Sequence, residues 1–261
     1  MQKNKEPNRI DVYGLRFSNI NQSKTLSKIL NNDFTIPKYI CFPSTNLVSK
    51  AYFNKKLQRI FNDAWLTLPD GQGTEFYARF KGFKKLGMTS GYTLMNQLLD
   101  TGLTHYFYGV DNITLENMIK NIKKKYPKSK VLGYKSPPIF DIDEIDSNNI
   151  IKNDIVIINN LKPDIIWIGV SNVKQDYLMD KYYKELNHGL MIGVGAVFIY
   201  MAGKIDRGPD WIKKLALRWV LRIFQQPSEG YKTLPSTIFF ILLFLKEIML
   251  MPFKYLLKLI K

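Results

Sequence analysis

What most constrains this chain is an alternation. Short apolar runs are separated by longer stretches of helical spacing, again and again between Tyr39 and Val194. The runs Tyr39–Phe42, Ala64–Leu68, His105–Tyr108, Lys130–Tyr134, Ile165–Gly169 and Met191–Val194 predict strands. The stretches Leu47–Phe61, Gly73–Phe80, Leu94–Asp100, Thr114–Tyr126, Asn149–Leu161 and Lys174–Leu186 predict helices. Strands joined through helices pair in parallel, so the expected fold is α/β: a Rossmann-like, mostly parallel sheet flanked by helices. Such a sheet binds ligands in the crevice outside the carboxyl ends of its strands, which directs attention to the loops that follow a strand.

The pattern stops near Ala202. Residues 1–203 read as the α/β core and residues 204–261 as a basic, apolar, helical appendage. From Met201 to Lys261 there are 11 basic and 4 acidic residues. The same stretch holds the most apolar run of the chain, Ile238 to Leu245, interrupted by Lys246 and Glu247. Eight residues fall well short of the roughly 20 needed to span a bilayer, and Pro252 is expected to break the helix again. Beyond it Lys254, Lys258 and Lys261 share one face while Phe253, Leu256, Leu257 and Ile260 occupy the other, the pattern of a helix lying in an interface. The expectation is a peripheral, monotopic protein. A helical pair that packs on the core or builds a homo-oligomer is the competing reading.

Charge and rare residues narrow the function classes. A formal net charge of +16 suits an anionic partner. Nucleic acid is disfavoured, because the charge concentrates beside an apolar tail instead of among stacking aromatics. One cysteine and two histidines exclude a disulfide framework and a cysteine-built zinc site within the chain, and disfavour a multi-histidine metal site. Met1 to Arg9 is polar and lacks a signal-peptide core, so the chain is expected in the cytosol or on the cytoplasmic face of the membrane.

Three post-strand loops could carry chemistry. In Leu68-Pro69-Asp70-Gly71-Gln72-Gly73, Gly71 and Gly73 permit close backbone approach, the helix start favours phosphate, and Asp70 could take a proton from a sugar hydroxyl. Asp70 as a plain helix cap is the simpler reading of the spacing. Ser44-Thr45-Asn46 offers short donors and acceptors for sugar hydroxyls, and equally an N-cap. In the loop that opens at Gly169, Lys174 and Gln175 can bond phosphate or sugar oxygens, or simply begin a solvated helix. Asp141-Ile142-Asp143 has the form of a metal-binding acidic pair but sits in an acidic loop with Glu144 and Asp146, so no metal is assigned. From Trp211 to Phe224, Lys214, Arg218 and Arg222 fall on one helix face, suited to a diphosphate or, as such stripes usually are, to solvent.

In order and spacing these segments resemble the WecG/TagA/CpsF glycosyltransferases over roughly Tyr39 to Tyr231. The resemblance runs through the Asp70 loop, Phe107-Tyr108-Gly109, Gly133-Tyr134-Lys135-Ser136-Pro137-Pro138, and Lys162-Pro163-Asp164 through Gly169 to Lys174-Gln175-Asp176. It closes with Gly193-Val194-Gly195-Ala196, Ala202-Gly203, Arg207-Gly208-Pro209 and the Arg218-Trp219 helix. What it implies is a GT-E core that moves a sugar from a nucleotide donor, UDP-N-acetylmannosamine in several members, with inversion. The acceptor would be an undecaprenyl-diphosphate-linked sugar, in making capsule, teichoic acid or related surface polysaccharide. By this resemblance Asp70 is the catalytic base. Ser44, Thr45, Asn46, Gly71, Gly73, Gly109, Gly169, Lys174, Gln175 and Gly195 line the donor or substrate site. Arg207, Arg218 and Arg222 meet the lipid diphosphate, and no cofactor is required. Two departures stand out: Met88-Thr89-Ser90-Gly91-Tyr92-Thr93-Leu94 lacks the family's Arg (position 88) and Asp (position 93), and Ile199 replaces another carboxylate. They keep a second reading open, a non-catalytic scaffold of a polysaccharide-assembly complex.

Overall fold

The computed structural model describes residues 6–171, 173–206, 208, 221, 224–225 and 227–259. A hairpin opens the chain, β1 (Arg9–Val12) against β2 (Leu15–Ser18). Then follow α1 (Gln22–Leu30), β3 (Lys38–Cys41), α2 (Thr45–Phe53), α3 (Lys55–Asp63), β4 (Leu66–Thr67), α4 (Gln72–Phe80) and α5 (Gly91–Leu99). The second half runs β5 (Thr104–Gly109), α6 (Asn112–Lys125), β6 (Lys130–Lys135), α7 (Asn149–Leu161), β7 (Ile165–Gly169), α8 (Lys174–Tyr182), β8 (Leu190–Gly193) and α9 (Val197–Met201). A long helix, α10 (Pro227–Leu259), ends it.

The large sheet has six strands in the order β4-β3-β8-β7-β5-β6, every neighbouring pair parallel. The parallel sheet expected from the alternation is therefore present. Successive side chains leave opposite faces of a strand, so the inner strands feed two cores. Tyr39, Cys41, Ile166 and Ile168 face a layer built from the hairpin and α2, α3, α4, α7 and α8. Ile40, Phe42, Ile165 and Trp167 face a layer of α1, α5, α6 and α9. This double covering explains why β7 and β8 read as unbroken apolar runs. His105 belongs to that packing: fully buried, it accepts a hydrogen bond at Nδ1 from Trp167 Nε1 (3.2 Å), and burial lowers its pKa to about 4. It is a neutral core histidine at physiological pH.

Several boundaries differ from the sequence reading, each for a local reason. The helix expected over Leu47–Phe61 is two helices, broken where extended Asn54 caps α3 by accepting from the Leu57 N–H (3.0 Å). β4 is two residues long and β8 begins one residue early, at Leu190. The hairpin had no place in the reading. Its side chains alternate as a strand should, with Val12, Leu15 and Phe17 buried, and it turns through Tyr13 and Gly14, both at positive φ.

α10 corrects two expectations. It continues through Pro235 and Pro252 to Leu259, so Pro252 does not break it. A proline removes one helix hydrogen bond, orphaning the carbonyl four residues earlier. Those carbonyls belong to Tyr231 and Ile248, both on the exposed side, where solvent can satisfy them. Because the helix is continuous, its apolar length is not the eight residues of Ile238–Leu245. Gly230–Leu250 is long and apolar enough to cross a membrane by length and composition.

One face of α10 is nonetheless fastened to the core. Ser49 Oγ donates to Ser236 O (2.6 Å) from α2. Phe240 is buried with its ring edge-on to Tyr13, and Phe244 packs edge-on against Tyr77 and Phe80 of α4. Glu247 pairs with Lys81 and accepts from the Tyr13 hydroxyl.

Candidate active site

The carboxyl ends of β3, β4, β5, β7 and β8 bring together most of the loops singled out above. Asp70 lies just beyond β4, exposed. Its loop is held by its backbone: the Leu68 N–H donates to Cys41 O (2.9 Å), the Asp70 N–H to Pro43 O (3.3 Å), and the Thr89 N–H to Pro69 O (3.0 Å). The Asp70 loop is thus stitched to the Ser44 loop on one side and to the Met88 segment on the other. Gly71, at φ +102°, takes the N-cap position of α4 and has no side chain with which to cap it.

Beside it, α2 and α4 begin in close contact. A Cβ at Gly73 would fall 2.5 Å from Thr45 Cγ2 and 3.7 Å from the Phe240 ring, so glycine is needed for the two helix starts and α10 to meet. This places the apolar helix alongside the Asp70 loop. Ser44 is the N-cap of α2 without making a side-chain cap bond. Asn46 is buried, and no described residue donates to its Oδ1; Thr74 Oγ1, also buried, lacks a partner among the described residues. Buried polar atoms without partners are rare in folded proteins and point to a bound molecule or water.

The Lys174–Gln175 loop is organised differently. Gln175 is buried, and its Oε1 accepts from the Gly195 N–H (2.9 Å), joining the loop after β7 to the loop after β8. Lys174 pairs with Asp141 (2.8 Å) and reaches the Phe140 carbonyl, which ties this loop to the one after β6. Asp141 itself caps a short 3-10 turn in a capping box with Glu144. Asp176 is fully buried beside the Cys41 thiol, and burial raises its carboxyl pKa to about 7. Gly109 and Gly169 let β5 and β7 close on each other: a Cβ at Gly109 would sit 2.4 Å from the Gly169 carbonyl carbon, and one at Gly169 would strike Phe198.

Two residues escaped the sequence reading. Val110, at the end of β5, has φ +46°, and Val173, just before α8, has φ +73°. A β-branched residue in the left-handed region is strained by about 1–3 kcal/mol, and such strain gathers at functional sites. No side-chain pattern announces it. Arg207, Arg218 and Arg222, assigned to the lipid diphosphate, lie outside the described residues. Met88 and Thr93, at the positions of the absent Arg and Asp, border the site; the Met88 N–H donates to Glu75 of α4 (2.9 Å), and the Thr93 N–H to Ser90, the N-cap of α5. Ile199 lies half-buried on α9.

Comparison with known proteins gives the family. The model of the glycosyl transferase WecG/TagA/CpsF family matches residues 10–252. A protein of Bacillus spizizenii is 22% identical over 189 residues, 71% of this chain and 70% of the relative. One of Bacillus subtilis is 24% identical over 164 residues, covering 61% and 60%. One of Staphylococcus aureus is 21% identical over 221 residues, covering 82% and 84%. All three are named N-acetylglucosaminyldiphosphoundecaprenol N-acetyl-beta-D-mannosaminyltransferase. With a parallel sheet of the expected kind and a family match from the hairpin into α10, this chain belongs to the WecG/TagA/CpsF family and is a glycosyltransferase.

Proposed function

We propose that the enzyme transfers N-acetylmannosamine, or a closely related hexose, from a UDP-sugar to a sugar carried on undecaprenyl diphosphate, for a cell-surface polysaccharide. The observation that carries this is the exposed Asp70 carboxylate at a backbone-anchored strand tip, with an apolar helix running beside it. The relatives' names supply the sugar and the lipid.

The reaction is a single displacement. Asp70 takes the proton of the acceptor hydroxyl as that oxygen bonds to the anomeric carbon. The bond from that carbon to the diphosphate breaks on the opposite face, UDP leaves with the electron pair, and the configuration inverts. Ser44, Thr45 and Asn46 bind sugar hydroxyls. The glycine-rich turns and Lys174 lie toward the donor, and Gln175 braces the loop of Gly195 beside it. Arg207, Arg218 and Arg222 meet the lipid diphosphate, where a guanidinium fork suits phosphate oxygens. The step as written uses no metal. α10 docks the enzyme as a monotopic protein on the cytoplasmic membrane face, its polar-tied face on the core and its apolar face toward lipid.

The test is transfer from a panel of nucleotide sugars to N-acetylglucosamine on a polyprenyl diphosphate. Transfer from UDP-N-acetylmannosamine with inverted product is expected. Absence of transfer from every donor, with the protein folded and the acceptor bound, would instead favour the scaffold reading raised by Met88, Thr93 and Ile199.

A further inference from the structure

The apolar side of α10 does not end at the helix. Ile238, Ile241, Leu242, Leu245, Ile248 and Met249 are exposed along it. At one flank the end of α2 adds Tyr52 and Phe53; Phe53 is 72% exposed, and both rings pack on Phe239 of α10 (5.7 and 5.0 Å). At the other flank α4 adds Phe76, 55% exposed, and Phe80, which touches Phe244.

The end of α4 is built to present more of the same. The Gly82 N–H donates to Arg79 O and the Phe83 N–H to Ala78 O (2.9 Å each), with Gly82 at φ +84°. This is a Schellman turn, in which the residue after the glycine commonly folds back on the helix. Here Phe83 remains exposed, and the turn launches the exposed Lys84 and Lys85.

Positive charge is in excess on the two flanks. Arg59, Arg79 and Lys81 are ion-paired with Asp63 and Asp180, Glu75 and Glu247, and the excess comes from Lys50, Lys55 and Lys56 on one side and Lys84 and Lys85 on the other. Exposed aromatics interleaved with lysines, on both sides of an apolar ridge, exceed what a solvated surface needs. Aromatic rings with an apolar body favour the headgroup layer, and clustered lysines are drawn to anionic lipid.

We infer that the core itself meets the bilayer: Tyr52–Phe53 and Phe76–Phe83, with their lysines, form with α10 one continuous surface for an anionic lipid leaflet. This rests on the membrane docking proposed above and adds the core to it. A helix alone would leave the molecule free to roll about the helix axis. Two flanking contacts fix that rotation, and with it the direction in which the neighbouring Asp70 loop faces.

Cys41 is the only cysteine and is buried, so single cysteines placed elsewhere can be labelled selectively. An environment-sensitive dye is attached to Phe53→Cys, Phe83→Cys, Ile241→Cys and, as a control just before the amino end of β3, Ile36→Cys. Phosphatidylglycerol vesicles should blue-shift the dye at positions 53, 83 and 241 but not at 36. Combining Phe53→Ser, Phe83→Ser, Lys84→Glu and Lys85→Glu in the full chain should lower vesicle partitioning by roughly tenfold or more and flatten its salt dependence. A shift at 241 without one at 53 and 83 overturns the inference and leaves helix docking standing. No shift at any of the three overturns both. A concentration-dependent shift at 53 and 83 without vesicles identifies a second copy of the chain as the occupant, and also overturns it.

Discussion

The Asp70 loop and the Lys174–Gln175 loop stand at the same edge of one sheet and are made on opposite plans. In the first, backbone amides and glycines hold the loop while the acidic side chain stays exposed. In the second, the side chains do the holding: Gln175 secures Gly195, Lys174 secures the Asp141 loop, and Asp176 is sealed in the interior. A side chain exposed at a strand tip is within reach of a substrate, whereas one that braces a loop affects stability first and substrate only through the geometry it maintains.

The sharpest way to break this contrast is Asp70→Asn. Transfer should fall by roughly 10²–10⁴-fold, the range for loss of a general base, while the protein still folds and binds the nucleotide sugar. Unchanged turnover would remove Asp70 from the mechanism.

Asp176 should behave in the reverse manner. In the folded protein burial keeps its carboxyl protonated up to about pH 7, against the ordinary carboxylate value of about 4. Between those values the unfolded chain has lost a proton that the folded one retains, so this group's contribution to stability declines as pH rises from about 4 to about 7 and is constant above. Asp176→Asn removes that decline, and relative to the parent it should gain on the order of 3–4 kcal/mol across the window. A parent-minus-variant difference that is flat from pH 4 to 7 in urea unfolding would contradict the burial argument.

The smallest effect belongs to Gln175→Ala, which leaves the Gly195 N–H without its acceptor at a cost of about 1–3 kcal/mol in stability. Should the variant unfold normally yet lose nucleotide-sugar binding, Gln175 faces the donor after all, and the two loops are more alike than their hydrogen bonds suggest.

Much of this was legible in the sequence, and the limits have physical causes. Strands buried on both faces announce themselves as apolar runs, which is why β7 and β8 could be placed, while the exposed edge strand β6 was legible only from its place in the alternation. Asn54 is a good capping residue, yet it was absorbed into one long helix because apolar spacing continues across it. The hairpin was missed although Ile10, Val12, Leu15 and Phe17 alternate, since a Tyr-Gly turn lacks the usual Asn-Gly or Asp-Gly signature. Pro252 misled because helix rules assume that every carbonyl needs a backbone partner, and exposed carbonyls do not. In the site, Asp70 and Gln175 could be named from their loops. The contact of Thr45 with Gly73, the bond from Gly195 to Gln175 and the strained valines arise only when distant segments meet, so no local pattern encodes them.

The position of β8 has an implication for how the molecule comes into being. It lies between β3 and β7, which do not pair with each other, so it alone joins the β4-β3 fragment to the β7-β5-β6 fragment. A growing chain that has not yet reached Leu190 therefore carries two half-sheets with unpaired inner edges, the condition most open to pairing with other chains. The last strand made closes the gap, and α10 emerges soon afterwards, so the long apolar helix arrives once the sheet it packs beside is whole.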